Sequence, residues 1–294
     1  MKRLTNTLKR IGLIGNSEKP LCSSVVRTAA RLITRSGREV FSDAVTARLA
    51  GFKSTICPDV AALTRAVDLL LVFGGDGTML RVAREVAGAR APILGINIGG
   101  LGFLTAVSSP ELAHALNQVW NNDFILESRA LIEASGHCSG RFLRQSALND
   151  IVISRGTVAR LIELEVRVDK QLLTRYRCDG LIVSSPTGST AYALAAGGAI
   201  VSPTAEVLSI TPISPHTLSN RSVIVSLASC IEVKVISQKP ETILSADGQG
   251  LSELAAGDVV TVRRSRHTVR LLHLAGSSFF QSLRHKLHWS GTNV

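Results

Sequence analysis

What the chain lacks narrows its class first. Its five cysteines, Cys22, Cys57, Cys138, Cys178 and Cys230, are scattered, odd in number and form no C-x-x-C. That argues against a disulfide framework or a structural zinc site and for a reducing compartment. No apolar run is long enough to span a bilayer. Behind the basic start only Ile11 to Ile14 is continuously apolar, too short for the core of a secretion signal. The expectation is a cytoplasmic protein with no membrane partner. There is no G-x-x-x-x-G-K-[ST] pattern, so phosphate chemistry here is not of the Walker kind. Low-complexity stretches, repeats and a flexible linker are also missing. Both ends lack acid. Residues 1–10 hold Lys2, Arg3, Lys9 and Arg10, and residues 259–294 hold Arg263, Arg264, Arg266, Arg270, Arg284 and Lys286. These ends carry all but one of the +11 formal charges. No aromatic or recognition-helix signal accompanies the charge, so no nucleic-acid partner is expected. The field would still draw an anionic substrate.

What is present is enough to fill a core: 294 residues, 45% of them apolar, sufficient for one large domain or two ordinary ones. The chain is organised around Val72-Phe73-Gly74-Gly75-Asp76-Gly77-Thr78-Met79-Leu80. The apolar run Leu69 to Phe73 reads as a buried strand ended by glycines. Met79, Leu80, Val82, Ala83, Val86 and Ala87 then fall on one helical face. Gly74 to Gly77 are therefore expected in a strand-to-helix turn, where α/β proteins place ligands. Glycines let backbone approach a ligand, and a helix start offers free N–H groups to phosphate. Asp76 repels anions, so it makes sense there as a proton acceptor or a metal holder. Its bland alternative is a helix cap.

Strand and helix alternate up to about residue 122, which predicts a parallel sheet with helices on both faces. Ile11 to Asn16 reads as the first strand, and Leu21 to Ser36 as a helix stopped by Gly37. Pro92 to Asn97 is a further buried strand, ended by a second glycine cluster, Gly99 to Leu104. Beyond this the period changes. Leu161 to Asp169 alternates strictly, as do residues from Ile231 to Val235, which marks half-buried antiparallel strands. Val259 to Arg263 and Val269 to Leu274 read as two more strands, and Ser277 to Trp289 as a closing helix. The expected organisation is an α/β domain over 1–124, a β-rich, sandwich-like domain over 125–264, and a C-terminal segment over 265–294.

A second informative stretch runs from Cys178-Asp179-Gly180 through Ser184-Ser185-Pro186-Thr187-Gly188-Ser189-Thr190 into a small-residue helix, Ala191 to Ala196, stopped by Gly197-Gly198. Hydroxyls and N–H groups at a helix start suit a nucleotide, and Tyr192 offers a ring to stack on a base. An ordinary capped helix packed through alanines explains the same residues equally well. Leu148-Asn149-Asp150, taken alone, reads as a turn.

Together these stretches, with Pro212 to Arg221 and Asp247-Gly248-Gln249, resemble the bacterial NAD kinase family in order and spacing over nearly the whole chain. The first motif is shared with diacylglycerol-type lipid kinases and 6-phosphofructokinases. The Asp179-to-Tyr192 stretch is the discriminating one. Asp150 stands where Glu is frequent and Ser185 where Thr is frequent, and both keep the polar character. The resemblance implies phosphorylation of the 2′-hydroxyl of the adenosine ribose of NAD, giving NADP. ATP would be the donor, with polyphosphate a second candidate, and a divalent cation, Mg2+, would assist. It implies an α/β domain plus a β-sandwich-like domain, with the chain end returning to the first. The active site would lie between domains and be completed in a homodimer or homotetramer.

By the same resemblance Asp76 is the proton acceptor, and Gly74 and Gly75 carry the donor phosphates. Gly77, Arg81, Asn149, Asp150, Arg160, Arg177, Asp179, Thr190, Ala191, Tyr192, Ala193, Leu194, Ala195 and Gln249 line the dinucleotide site with Asp76. The chemistry agrees. A ribose hydroxyl is a poor nucleophile that a carboxylate base assists, and the transferring phosphoryl group needs backbone donors and a cation. Carboxylates on ribose hydroxyls select NAD, a role open to Asp150 and Asp179. Arg160 and Arg177 could pair with pyrophosphate or with those acids. The alternatives are a lipid kinase, which needs an apolar membrane-facing surface that the sequence does not show, and a non-catalytic dinucleotide-binding module, which has no need of Asp76.

Overall fold

Strand–helix alternation from Arg10 to Trp120 builds a parallel sheet because each apolar strand must be covered on both faces. The computed structural model describes residues 8–100, 102–105, 107–138, 140–158, 160–217, 219–238 and 241–289. Lys2, Arg3, Leu101 and Leu218 lie outside the described residues. The chain divides into two compact units. One takes the chain through Ser128 and again from Thr268, and the other is Arg129–His267.

In the first unit the order is β1 (Arg10–Gly15), α1 (Cys22–Arg35), β2 (Glu39–Asp43), α2 (Ala44–Ala50), β3 (Thr55–Cys57), α3 (Val60–Ala66), β4 (Leu69–Gly74), α4 (Asp76–Glu85), β5 (Ile93–Asn97), β6 (Val107–Ser108) and α5 (Leu112–Trp120). The strands lie side by side as β3-β2-β1-β4-β5, all parallel. Leu13, Leu71, Phe73, Leu94 and Ile96 pack with Val26 and Ile33 of α1 and Leu116 and Val119 of α5. The alternate side chains, such as Leu70, point to the other face, where Leu63 of α3 packs. Aspartates cap α2 and α3, Asp43 accepting from the Thr46 N–H and Asp59 from the Ala62 N–H. The strand order reverses direction between β1 and β4, which makes the carboxyl ends of those two strands the switch-point crevice.

The second unit is a sandwich of antiparallel strands. Its elements are β7 (Phe124–Cys138), β8 (Arg141–Ala147), β9 (Asp150–Arg155), β10 (Ile162–Val168), β11 (Gln171–Cys178), β12 (Gly180–Ser184), α6 (Tyr192–Ala195), β13 (Val207–Ile213), β14 (Val223–Ser226), β15 (Ile231–Val235), β16 (Thr242–Ala246), β17 (Gln249–Leu254) and β18 (Val259–Leu274). Strands β7 and β18 each begin in one unit and end in the other. One layer runs β14-β13-β12-β9-β16-β17, and β11-β10-β15-β18 forms the other. Ile151, Ile153, Leu181, Val183, Leu208 and Leu244 from the first meet Leu164, Val166, Val233 and Val260 from the second in a dry core. The β10–β11 hairpin turns on Asp169 and Lys170, both at positive φ, as a two-residue turn between right-twisted strands requires. Back in the first unit, Leu271 of β18 pairs in parallel with Ile93 of β5, and α7 (Phe279–Lys286) follows.

Three local expectations need correction. Val259 to Leu274 is one strand, not two, because Ser265 takes an inward, buried position in the run and no glycine or proline interrupts it. The helix expected over Ala191 to Ala196 shrinks to Tyr192–Ala195 behind a 3-10 turn at Thr187–Thr190, because Ala191 leaves the helical region at φ −103°, ψ −131°. Of the closing helix, Phe279–Lys286 forms. Leu283 is its buried contact, while Phe280 is 61% exposed.

Candidate active site

β4 ends at Gly74, Gly75 occupies the helix cap position, and Asp76 is already the first residue of α4. Gly77 is therefore helical rather than part of the turn. No side chain caps this helix, which leaves its first-turn N–H groups directed outward at the switch point. A side-chain carbon placed on Gly75 or Gly77 would meet no atom of the described residues within 4 Å, so neither glycine is crowded at its Cβ position. From the end of β1, the Asn16 Nδ2 donates to the Thr78 hydroxyl at 3.0 Å and ties the two strand ends together.

The Asp76 carboxylate does not cap its helix. It accepts from the backbone N–H of Phe103 at 2.8 Å and of Leu104 at 3.1 Å, so the second glycine cluster folds over the first motif. Gly102 is needed for this approach: a Cβ there would fall on the Asp76 carboxylate. A further partner is the buried hydroxyl of Thr105, 3.4 Å from Asp76 Oδ1. Its direction follows from its own partners. Thr105 Oγ1 already accepts from Asn97 Nδ2 at 2.7 Å and from the Gly102 N–H at 3.2 Å, which fills both lone pairs and leaves its proton for Asp76. Asn97, at the end of β5, is itself oriented by donating to the Gly100 carbonyl at 2.9 Å. An ionised carboxylate has about four acceptor sites. Among the described residues three are taken, which leaves one for a substrate proton. Arg81, one turn further along α4, pairs with Glu85 at 3.0 Å. Lys286 of α7 lies 5.9 Å over the Phe103 ring.

In the second unit the expected dinucleotide residues fall into two groups at opposite ends of β12. At its carboxyl end, Asp247 sits at positive φ in the β16–β17 turn. Its carboxylate accepts from the backbone N–H groups of Leu148 at 3.0 Å, Asn149 at 2.8 Å and Asp150 at 3.3 Å. The Asn149 carbonyl takes the Ser185 N–H at 2.8 Å and lies so close to Gly188 that a Cβ there would overlap it. Asn149, Asp150 and the Thr187-to-Ala195 segment are thus held as one cluster. Thr190, Ala191 and Leu194 are half-buried, Ala193 is buried against Val152 and Ile182, and Tyr192 and Ala195 are exposed. Gln249 opens β17 beside the Asp247 turn, also exposed. Asp150 is buried, and that burial, reinforced by the Asp247 charge, pushes its carboxyl up to about 7.

At the other end of β12, Asp179 forms an ion pair with Arg155 at 2.7 Å. Arg177 is the penultimate residue of β11, and Arg160 lies in the loop after β9, both exposed. The sequence leaves Arg160 and Arg177 open to pyrophosphate or to the acids; among the described residues the ion-pair partner of Asp179 is Arg155. No sequence pattern pointed to Arg155. Asn97, Thr105 and Asp247 carried weak signals, as the polar end of an apolar strand, the hydroxyl just past the glycine cluster, and the first residue of an Asp-Gly turn.

Comparison with known proteins adds an independent line. A family model described as the ATP-NAD kinase N-terminal domain matches residues 11–124, and one described as the ATP-NAD kinase C-terminal domain matches residues 148–274. The chain is 42% identical to an NAD kinase of Syntrophotalea carbinolica, over 96% of this chain and 99% of that one. It is 41% identical to an NAD kinase of Symbiobacterium thermophilum, over 97% and 100%. Among solved structures it resembles yeast NADH kinase complexed with NADH, with a TM-score of 0.85 and 27% identity over 99% of this chain and 90% of that one. It also resembles an NAD kinase from Archaeoglobus fulgidus in complex with ATP, with a TM-score of 0.73 and 26% identity over 96% and 99%.

Proposed function

Because the chain belongs to the ATP-NAD kinase family and is an NAD kinase, we propose that Asp76 is the general base of its reaction, with ATP as donor. The observation that carries this is a carboxylate with one acceptor site left by the described residues, beside helix N–H groups that no side chain caps, at the sheet's switch point. The 2′-oxygen of the NAD ribose attacks the terminal phosphorus of ATP. The bond from that phosphorus to its bridging oxygen breaks, ADP leaves, and the hydroxyl proton passes to Asp76. The N–H of Gly75, at the cap of α4, and that of Gly77, in its first turn, stabilise the equatorial oxygens. Thr105, held by Asn97, keeps the carboxylate aimed.

Among the described residues no group of three or more His, Cys, Asp or Glu could hold a metal ion. That fits a Mg2+ held mainly by substrate phosphates and water, as is usual for this ion. When bound, it would neutralise charge on the donor phosphates.

Asn149, Asp150, Thr190, Tyr192 and Gln249 form the NAD cluster in this reading, and Asp179 with Arg155, Arg160 and Arg177 the second. The two are separated by the length of β12, roughly 15 Å. That separation favours a second copy of the chain supplying the Asp179 group. The exposed apolar residues Leu251 (71%) on edge strand β17 and Ile224 (45%) on edge strand β14 support an oligomer too, since sheet edges need cover. The five cysteines, all free thiols, fit the reducing cytoplasm. Among the described residues no helix is long and apolar enough to cross a membrane. Relatives of matching full length are NAD kinases, which sets the lipid-kinase alternative aside.

Incubation with NAD, ATP and Mg2+, followed for NADP, tests the activity and its donor. Repeating it with Asp76→Asn tests the base, and unchanged turnover in that variant would leave the turn as a phosphate cradle alone.

A further inference from the structure

The proposed reaction leaves the basic ends of the chain without a role, yet topology brings parts of both to one place. Arg10 begins β1, Asp68 precedes β4, Arg90 lies in the loop before β5, and Arg270 is on β18 where it runs beside β5. With Arg65 of α3 they line a cavity of about 670 Å3 at the amino ends of the sheet strands, within the size range of small-molecule sites. Among the described residues Asp68 is the only carboxylate in its lining, and it is engaged by Arg10. It accepts from the Arg10 guanidinium at 2.8 Å and from the backbone N–H groups of Lys9 and Arg10 at 3.0 and 2.9 Å. Among the described residues no ion pair engages Arg65, Arg90 or Arg270. The one hydrogen bond they make to a neighbour there is from Arg270 to the Arg90 carbonyl at 3.5 Å.

We propose that this cavity is a binding site for an oligophosphate anion, free or as the phosphate chain of a nucleotide. Arg65, Arg90 and Arg270 line one concavity with no ion pair to a described residue, and each guanidinium is a planar fork matched to phosphate oxygens. A single carboxylate ligand would leave charge uncompensated; two or three linked phosphates would not. Leu126 and the other apolar parts of the lining leave room for a non-ionic portion. The site is separate from the donor site at Gly75, because the whole of β4, about 20 Å long, lies between them.

The test is amide hydrogen exchange on the full chain with inorganic tripolyphosphate, and in a parallel arm with ATP, both without metal. Exchange across residues 86–91 should slow as ligand is added. In the double variant Arg65→Ala, Arg270→Ala the half-saturating concentration should rise about tenfold or more, the worth of at least one charge-assisted hydrogen bond. NAD kinase turnover at saturating substrates should stay within about twofold, and the exchange of β4 should be unchanged, which shows that the variant is folded. Lysine at both positions should restore part of the affinity. Protection in both arms means that phosphates suffice, and protection by ATP alone means that the nucleotide is the source. The idea fails if residues 86–91 are protected in neither arm, if protection falls only at 74–79, or if the double variant binds like the unaltered chain.

Discussion

At the scale of single residues, Asp76 must do two things at once: hold the second glycine loop and accept a proton. Asp76→Asn keeps the shape and removes the basicity, so turnover should fall by roughly 10²–10⁴-fold while NAD still binds. Partial rescue by raised Mg2+ would point to a metal-holding role instead. Thr105 separates orientation from chemistry. Thr105→Val removes the hydroxyl that aims the carboxylate, so kcat should fall by about tenfold, the worth of one hydrogen bond to a charged group, with the KM for NAD little changed, and Thr105→Ser should restore it. Unchanged kcat with lowered thermal stability would reduce Thr105 to packing. Asp150 makes a claim about stability. Its folded carboxyl titrates at about 7, above the ordinary carboxylate range of about 4. The native state alone keeps that proton between the two, so the stability Asp150 contributes is complete below about pH 4 and drains away as pH rises towards 7. Asp150→Asn cannot ionise. Its Tm relative to the unaltered chain should therefore climb from pH 5 to 7 and level off above; a constant difference across that range would refute the shift.

At the scale of elements, α6 carries one prediction. Tyr192 is its first residue and 47% exposed, free to stack on a flat ligand. Tyr192→Ala should mainly raise the KM for NAD, because stacking present in ground and transition states alike is uniform binding. A loss confined to kcat would count against this placement. The elements also show what a sequence exposes to reading. The apolar run Leu69–Phe73 and the strict alternation of Ile162–Val168 are local patterns, and each became a strand. The glycines around Asp76 named the turn because local backbone chemistry demands them. What escaped reading depends on partners far along the chain. Asp247 bonds to backbone about a hundred residues before it, Arg155 meets Asp179 across paired strands, and Thr105 closes on Asp76 only once a loop has folded back. Ser265 hid the continuity of β18 because a polar residue in an inward position breaks the hydrophobic pattern without breaking the strand.

At the scale of the whole molecule, the chain should assemble. Sedimentation is expected to show a dimer or tetramer rather than a 31.3 kDa monomer, and Leu251→Asp should weaken assembly and activity together. A fully active monomer at working concentration would sink that expectation. The pairing of Leu271 with Ile93 has one more consequence, which concerns time. The amino-terminal half of β5 is made early, but its outer neighbour arrives only after the entire second unit has been synthesised. At roughly 5–20 residues per second, translation takes about 10–35 s to cover that interval. For that long the nascent protein carries an unfinished sheet edge, the kind of surface on which chains stick to one another. Its yield in a cell would then depend on ribosome speed and chaperone supply as well as on the stability of the finished fold.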